Sequence, residues 1–224
     1  MIEPNGARAL GDRALREIAT HLPCDRNSLI LEVGCGPGAL LTALKEQGYS
    51  NLHGLDLSET LAGHGGQFLD VNIAVGEWQE HLLASPDCYS VIVALDVLEH
   101  IRAAEWIPTL QATCQRLLPG GRLILRVPNP ECPLVLPTFY GDITHVAMAT
   151  PDLLRHLLTE AGFRGPITVS ETRPNSFWKR LVFTAVHKAI VSPALRVLYY
   201  HFYGRSPKLL TRNYYCFAYA NIRQ

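Results

Sequence analysis

The sequence predicts an α/β fold in which a doubly wound parallel sheet carries helices on both faces. Short apolar runs that are typical of buried strands alternate with amphipathic helical patterns through most of the chain. The first of these runs, residues 29–33, leads directly into three glycines at alternate positions, Gly34, Gly36 and Gly38. Strands that alternate with helices pair in parallel through right-handed crossovers, so their carboxyl ends meet at one edge of the sheet.

The amino-terminal half supplies the first helices and the first three strands. Apolar residues recur at helical spacing over residues 7–21, which predicts a helix beside the first strand. The elements that follow are a strand at 29–33, a helix at 39–47, a strand at 52–57 and a strand at 73–75. Gly48 stands where helices commonly end, and Ser58 is placed to cap the helix after the second strand.

The carboxyl-terminal half continues with residues 89–95, which are nearly all apolar, as a central parallel strand should be. A helix then ends at the break formed by Pro119. Thr150 as N-cap and Pro151 at the first helical position predict a helix that ends at Gly162. The remaining strands are predicted at 122–127, 167–170 and 214–222.

Length and composition predict a single domain over residues 1–224. All 20 acidic residues lie in the first 171 residues with 11 of the 20 basic ones, so this part carries a net charge of −9 and the remainder +9. The six cysteines are scattered without a C-x-x-C pair, and no apolar run approaches the roughly 20 residues that span a bilayer. We therefore expect a reduced, cytoplasmic setting.

The glycine turn is typical of one wall of a nucleotide-sized site. Glycine permits a sharp reversal and lets a ligand lie against bare backbone. The turn satisfies two cofactor patterns: the dinucleotide fingerprint G-x-G-x-x-G/A at Gly34, Gly36 and Ala39, and an acidic E-x-G-x-G-x-G pattern that begins at Glu32. The turn by itself fits either cofactor.

Four carboxylates, Glu32, Asp56, Glu77 and Asp96, fall at the carboxyl ends of the first four predicted strands. Asp56 follows the glycines by about 20 residues, where it could accept hydrogen bonds from a ribose or, alternatively, cap a turn or helix. Trp78 could stack on an adenine or, equally, anchor the core. A rim of four carboxylates favours a cationic cofactor and would be awkward beside the pyrophosphate of NAD.

Five stretches together resemble class I S-adenosylmethionine-dependent methyltransferases in order and spacing. They are LILEVGCGPG, the strand-end Asp56, the Gly76-Glu77 pair, ALDVLEHI and the stretch LLPGG-RLILRVP, and the match covers about residues 25–165. The resemblance implies a Rossmann-like, doubly wound seven-stranded sheet with six parallel strands and an antiparallel seventh. It also implies S-adenosyl-L-methionine as cofactor, bound across the ends of the first four strands.

The same resemblance assigns roles to individual residues. Gly34 and Gly36 would approach the methionine part, Asp56 would hold the ribose, and Asp96 would lie near the methionyl amine and the reacting methyl. The predicted cofactor-binding residues are Glu32, Gly34, Cys35, Gly36, Asp56, Leu57, Glu77, Trp78 and Asp96.

A sulfonium methyl is already activated, so the protein mainly has to align the acceptor and exclude water. A hydroxyl acceptor needs a base, and histidine suits neutral pH. His145 lies in the long connection 128–150, and such connections are more often functional than idle. Asp142, Thr144 and His145 resemble a D-x-T-H pattern of a subgroup that includes sugar and polysaccharide methyltransferases. We predict His145 as the base and Asp96 as the organiser of the reaction centre; a purely structural role for His145 is the alternative.

Asp96, Glu99 and His100 resemble in part the E-x-x-E-H metal site of some methyltransferases, with His145 as a distant ligand. Asp and Glu carboxylates with imidazole could hold Mg²⁺ or Mn²⁺. Because the first position is Asp and a related L-E-H occurs in metal-free members of the fold, we predict no metal.

Residues 174–212 form an insertion between the sixth and seventh strands and carry most of the basic excess. They predict two short aromatic and cationic helices, the second starting at Ser192. These helices could lie on an anionic membrane surface, cover the acceptor pocket or form a homodimer contact, and we favour the last two.

Together these observations predict an enzyme that transfers a methyl group from S-adenosylmethionine to an oxygen of a small-molecule or glycan acceptor, a lipid-linked sugar being one candidate. The alternatives are an NAD(P)-dependent oxidoreductase on a similar sheet and a catalytically inactive scaffold that binds the cofactor. RNA is a further alternative acceptor that the basic residues after Glu171 allow. No nucleic-acid partner is expected, because the first 171 residues are acidic and no nucleic-acid motif appears. The expected location is the cytoplasm, or the membrane periphery if residues 174–212 bind lipid.

Overall fold

A seven-stranded sheet with the strand order β3-β2-β1-β4-β5-β7-β6 organises the molecule. The structure is a computed structural model that describes residues 4–63, 70–132, 134–172, 189, 192–204, 207 and 209–221. The strands are β1 (Ile30–Val33), β2 (Leu52–Asp56), β3 (Asn72–Val75), β4 (Tyr89–Leu95), β5 (Leu117–Pro128), β6 (Ile167–Glu171) and β7 (Asn213–Tyr219).

Helices connect these strands at the predicted places, except for a short one in the connection 128–150, which was not predicted. They are α1 (Pro4–Ile18), α2 (Ala39–Glu46), α3 (Trp78–Ala84), α4 (Ala103–Gln115), α5 (Leu136–Phe139), α6 (Pro151–Glu160) and α7 (Ser192–Tyr203). The predicted caps are confirmed, because Thr150 Oγ1 accepts a hydrogen bond from Leu153 N at 3.2 Å and Ser58 Oγ accepts one from Leu61 N at 3.3 Å.

The pairing of the strands confirms the predicted topology. β1 pairs in parallel with β2 and β4, while β7 runs antiparallel between β5 and β6. Strand β5 starts five residues earlier than predicted. Tyr89 already pairs with Leu117, and after an irregularity the regular register resumes where Val91 meets Arg122. The proline and glycines that were expected to break the chain therefore lie within the strand.

Alternate residues of the central strands pack into two separate core layers, one on each face of the sheet. In β1, Ile30 belongs to one layer and Leu31 to the other, and in β4 the same alternation separates Val91 from Ile92. These side chains are fully buried, and burial of each contributes about 1.5–3 kcal/mol. Because both faces are covered, the carboxyl edge of the sheet is where polar side chains can meet a ligand.

The end of the insertion is fastened to the sheet by Asn129, which is fully buried. Its Nδ2 donates to the carbonyl oxygens of Leu209 at 3.0 Å and Thr211 at 2.9 Å. The backbone N of Asn129 also donates to Arg212 O at 2.7 Å. These bonds fix where β7 begins.

Helix α7 is the second helix predicted in the insertion, and it leaves Val197, Tyr200 and Phe202 exposed. The helix predicted before it falls, apart from Ala189, outside the described residues. None of the helices in the described part of the chain has both the length and the apolar character needed to cross a bilayer.

Candidate active site

The glycine turn after β1 is held against the end of β2 by its own backbone. The N–H groups of Gly34 and Cys35 both donate to Leu55 O, at 2.7 and 3.1 Å. Gly34 and Gly36 have φ angles of +67° and +50°, in the left-handed region that side chains other than glycine rarely adopt. The turn therefore needs glycine for its backbone conformation.

The two glycines differ in what surrounds them. A Cβ on Gly34 would lie 2.5 Å from Val97 Cγ2, so this glycine lets the end of β4 approach the turn. A Cβ on Gly36 would meet nothing within 4 Å. Gly36 thus presents bare backbone to open space, which is the property that the cofactor interpretation requires.

Asp56 fastens the turn from the next strand. Its Oδ2 accepts a hydrogen bond from Gly36 N at 2.7 Å, and its Oδ1 accepts one from Ser58 N at 2.8 Å. Asp56 therefore caps the turn, which is one of the two roles that the sequence allowed for it. Each carboxylate oxygen keeps a further lone pair, so a ribose hydroxyl can also be accommodated. Leu57, which follows, is 65% exposed and offers an apolar surface beside this carboxylate.

Glu32 lies below the turn and is only 6% exposed. Burial raises the pKa of its carboxyl to about 8, and the nearby Asp56 carboxylate adds to the rise. Its Oε2 is buried and has no hydrogen-bond partner within the described structure. The side chain is therefore mostly protonated at neutral pH until a cation or donor reaches it.

Two of the predicted cofactor contacts, Trp78 and Cys35, have side chains that belong to the core. Trp78 is 3% exposed and packs in one core layer, which fits its interpretation as a core anchor and leaves no open ring face for an adenine. Cys35 is 5% exposed, and burial raises the pKa of its thiol to about 12, so a ligand could meet only its backbone. Glu77, by contrast, is exposed at the N-cap of α3.

Asp96 lies at the end of β4 with a φ angle of +56°, which is unusual for a residue other than glycine. Its carboxylate receives two bonds from Arg126 Nε, at 2.9 and 3.1 Å, and a further one from the same guanidinium. Asn213 Nδ2 adds a bond of 3.2 Å. Of the four carboxylates at the predicted rim, Asp96 is thus paired with an arginine, and burial favours the protonated form of Glu32.

Sequence reasoning missed both partners of Asp96. Arg126 lies near the carboxyl end of β5, and a cation at that end of the stretch RLILRVP was an available signal. Asn213 opens β7, 117 residues after Asp96 in the chain, and pairs in register with Pro128. Nothing in the local sequence indicates that contact.

Beside Asp96 a cleft of about 410 Å³ opens between the ends of β4 and β5 and the connection 128–150. It is lined by Asp96, Glu99, His100, Pro128, Thr138, Gly141, Asp142, His145 and Asn213. The cleft brings the two residues predicted as catalytic, His145 and Asp96, to one cavity. It adjoins Asp96, which the resemblance places near the reacting methyl.

The backbone of the connection is hydrogen-bonded to Glu99. The N–H groups of Val146 and Ala147 both donate to Glu99 O, at 2.8 and 3.3 Å. These bonds place His145 directly against the end of β4. Burial raises the pKa of the Glu99 carboxyl to about 8, with the Asp96 carboxylate contributing.

The orientation of His145 is fixed by a hydrogen bond of 2.8 Å between its Nδ1 and Phe139 O. A carbonyl oxygen only accepts, so in the neutral ring Nδ1 carries the proton and Nε2 carries the lone pair. The ring also packs between Phe139 and His100, at centroid distances of 5.3 and 4.7 Å. Nε2 of His145 is therefore available as an acceptor beside the cleft.

Several known proteins resemble this chain. A family model described as a methyltransferase domain matches residues 7–165. Ubiquinone biosynthesis O-methyltransferase from Pectobacterium carotovorum is 30% identical over 105 residues, which are 45% of this chain and 43% of that protein. O-methyltransferase cnsE from Penicillium expansum is 25% identical over 180 residues, which are 75% of this chain and 63% of that protein. The chain thus spans less than two thirds of the length of these relatives.

Among solved structures, a SAM dependent methyltransferase from Archaeoglobus fulgidus superposes with a TM-score of 0.73 at 21% identity. The superposition covers 96% of this chain and 95% of that one. At this identity the likeness concerns the fold, and it agrees with the strand order described above.

Proposed function

The chain belongs to the methyltransferase-domain family, whose model matches most of its length, and we propose that it transfers a methyl group from S-adenosylmethionine to a hydroxyl oxygen of a small-molecule or glycan acceptor. The proposal rests above all on one observation. His145 and Asp96, at the end of β4, line one cleft, and Val97, which follows Asp96, lies against Gly34 of the glycine turn. A base and a donor site are therefore neighbours.

The donor end fits S-adenosylmethionine in three respects. Open space over Gly36 allows a ligand to lie on the backbone, and Asp56 has lone pairs left for ribose hydroxyls. The partnerless Oε2 of Glu32 offers a buried acceptor for a cationic group. A ligand with a positive charge would favour the ionised form of this carboxyl, which would then attract the ligand.

When bound, S-adenosylmethionine supplies a methyl group on a cationic sulfur, and the remainder leaves as the neutral thioether S-adenosylhomocysteine. His145 Nε2 accepts the hydroxyl proton as the new carbon–oxygen bond forms. Phe139 O keeps the ring in the required tautomer by accepting from Nδ1. Arg126 and Asn213 hold Asp96 at the boundary between the donor and acceptor sites.

The lining of the cleft favours an uncharged acceptor. It contains the carboxylates of Asp96, Glu99 and Asp142, and no lysine or arginine is among its described residues. A phosphate or carboxylate close to the reacting atom would find no lysine or arginine in this lining to pair with, since the nearby Arg126 is already bound to Asp96. The names of two relatives as O-methyltransferases agree with an oxygen acceptor.

Calorimetric titration of the purified protein tests the donor assignment. We expect S-adenosylmethionine and S-adenosylhomocysteine to bind with one site per chain and NAD(P)⁺ to show no binding. Binding of NAD(P)⁺ instead would favour an oxidoreductase. A protein that binds S-adenosylmethionine but turns over no member of a panel of hydroxyl acceptors would favour the scaffold alternative.

A further inference from the structure

The chain between β6 and β7, which contains the insertion 174–212, leaves the sheet and returns to it at the edge that carries the cleft. Glu171, the last residue of β6, pairs with Tyr214, and Asn213 at the start of β7 pairs with Pro128. Pro128 and Asn213 both line the cleft. Thr172 Oγ1 also donates to Asn213 O at 3.3 Å. Both ends of this connection are therefore anchored beside the cleft.

Helix α7, within the insertion, has two different faces. Four residues at helical spacing form a partly buried face: Ser192, Leu195, Arg196 and Tyr199. Five residues at the spacing i, i+3, i+4, i+7 and i+8 form the opposite face, and all are exposed: Ala194, Val197, Leu198, His201 and Phe202. Val197, Leu198 and Phe202 are 71%, 51% and 69% exposed. The outward face of a helix on a globular protein is normally polar, so this apolar face indicates a second surface that covers it.

The charge of the surrounding sequence indicates which kind of surface this is. The chain after Glu171 contains nine lysines and arginines and no aspartate or glutamate. An apolar and aromatic helix face in a segment of purely basic charge is typical of helices that lie on anionic membranes. The 12 residues of α7 extend about 18 Å, whereas the hydrocarbon core of a bilayer is about 30 Å thick. The helix is therefore suited to lie along a bilayer surface.

We propose that α7 binds the surface of an anionic lipid bilayer through Val197, Leu198 and Phe202, while the basic residues after Glu171 attract the lipid headgroups. A second copy of the chain fits this face less well, because a dimer through α7 would bring two segments of like charge together. A cover over the cleft would use the partly buried face and leave the exposed face unexplained. The proposal thus differs from the pocket cover and the homodimer contact that the sequence favoured.

The place of α7 in the chain connects this surface with the cleft, since both ends of the connection lie there. One consequence rests on the proposed function: the methyl acceptor is a molecule with a lipid tail, which presents its hydroxyl from the bilayer surface. The binding of α7 to the bilayer is independent of methyl transfer and is tested without it.

Vesicle flotation of the whole chain tests the proposal. We expect binding to vesicles of equal parts phosphatidylcholine and phosphatidylglycerol, and at least about 10-fold weaker binding to vesicles of phosphatidylcholine alone. Binding to the anionic vesicles should fall as the NaCl concentration rises, because salt screens the attraction between the basic residues and the headgroups.

The double variant Val197→Ser, Phe202→Ser removes apolar surface from α7 without changing the charge. We expect it to bind the anionic vesicles at least about 10-fold more weakly than wild type. Leu83→Ser is the matched control, because Leu83 is 56% exposed on α3, and this variant should bind as wild type does. All three positions are exposed, so both variants should keep the wild-type midpoint of urea unfolding.

Absence of binding to the anionic vesicles, equal binding to both kinds of vesicle, or equal losses in the double variant and Leu83→Ser would overturn the proposal. A dimer in analytical ultracentrifugation that the double variant dissociates would overturn it in favour of a second copy. Titration with S-adenosylmethionine in the absence of vesicles reports on the donor end separately. Failure of membrane binding and failure of the proposed function are therefore distinguishable.

Discussion

The proposed donor end and the proposed acceptor end of the site are built in different ways. The donor end is built mainly from backbone groups of one continuous turn. The N–H groups of Gly34 and Cys35 donate to Leu55 O, and that of Gly36 donates to the Asp56 carboxylate. At the acceptor end, side chains from four separated segments meet. Asp96 follows β4, Arg126 ends β5, His145 lies in the connection 128–150 and Asn213 opens β7.

This difference has a consequence for how each end tolerates change. A site built from backbone groups depends on a few positions where only glycine fits, and it tolerates substitution of many of its side chains. A side-chain site depends on partners that are far apart in the chain, so each substitution there also affects the packing of another segment. The following experiments separate the two cases, beginning with the largest expected effect.

His145→Ala should abolish most of the chemistry while leaving the donor end intact. We expect kcat to fall about 10²–10⁴-fold, which is the usual contribution of a general base or an equivalent activating group. The affinity for S-adenosylmethionine should stay unchanged by calorimetry. His156→Ala serves as the control, and an unchanged kcat in His145→Ala would mean that this histidine has only a structural role.

Gly36→Val should change the other quantity, the affinity for S-adenosylmethionine. Its side chain would occupy the open space over the turn and strain a φ angle of +50°. We expect the affinity for S-adenosylmethionine to fall about 10²-fold, as for other misplacements of a ligand by about 1 Å. Gly48→Val carries a similar strain, at φ +88° with open surroundings, but lies at the end of α2. If both variants lose affinity equally, the effect is one of stability and not of the site.

Glu32→Gln tests whether the buried Glu32 carboxyl is protonated in the folded protein, through the pH dependence of stability. The pKa of Glu32 is raised to about 8 in the folded protein from an ordinary value of 4.5, so the folded state binds more protons than the unfolded state between these values. Its contribution to stability is full below pH 4.5 and is lost as the pH rises through 8. Wild type should lose about 2 kcal/mol from this group between pH 6 and 7.5.

The Gln variant should lack that slope when its free energy of unfolding is measured by urea denaturation across the same range. Glu77→Gln, at an exposed carboxylate of the same sheet edge, should keep the wild-type slope. Equal slopes in wild type and Glu32→Gln would show that Glu32 is ionised in the folded protein.

Arg126→Met probes the ion pair that joins β5 to the end of the neighbouring strand β4 at the acceptor end. The side chains of Arg126 and Asp96 are 21% and 35% exposed, so solvent screens part of their attraction. We expect a loss of about 1–2 kcal/mol in the free energy of unfolding, because Asp96 loses its counter-ion in a partly buried position. A double-mutant cycle with Asp96→Asn measures the coupling directly.

Arg155→Met provides the surface comparison for that cycle. Arg155 pairs with Asp152 three residues away on α6, and such exposed pairs contribute about 0.5 kcal/mol or less. Equal losses in the two arginine variants would mean that the Asp96 pair is no more than a surface contact.

The sequence by itself determined the order of strands and helices, the caps at Ser58 and Thr150, and the glycine turn with Asp56 beside it. These features follow from interactions between residues that are close in the chain: the period of apolar residues, the φ angles open to glycine, and side chains that bond to nearby N–H groups. The same local patterns did not decide whether Trp78 stacks on an adenine or packs in the core. Its burial depends on which elements pack over its helix.

Only the tertiary structure decided the electrostatic state of the site. Whether Asp96 is free or paired depends on the register of β4 against β5 and on Asn213, which β7 brings back from a distant part of the chain. Whether His145 meets Glu99 and His100 depends on how the connection 128–150 folds onto the end of β4. Such contacts are set by the summed packing of the whole sheet, so no short stretch of sequence contains them.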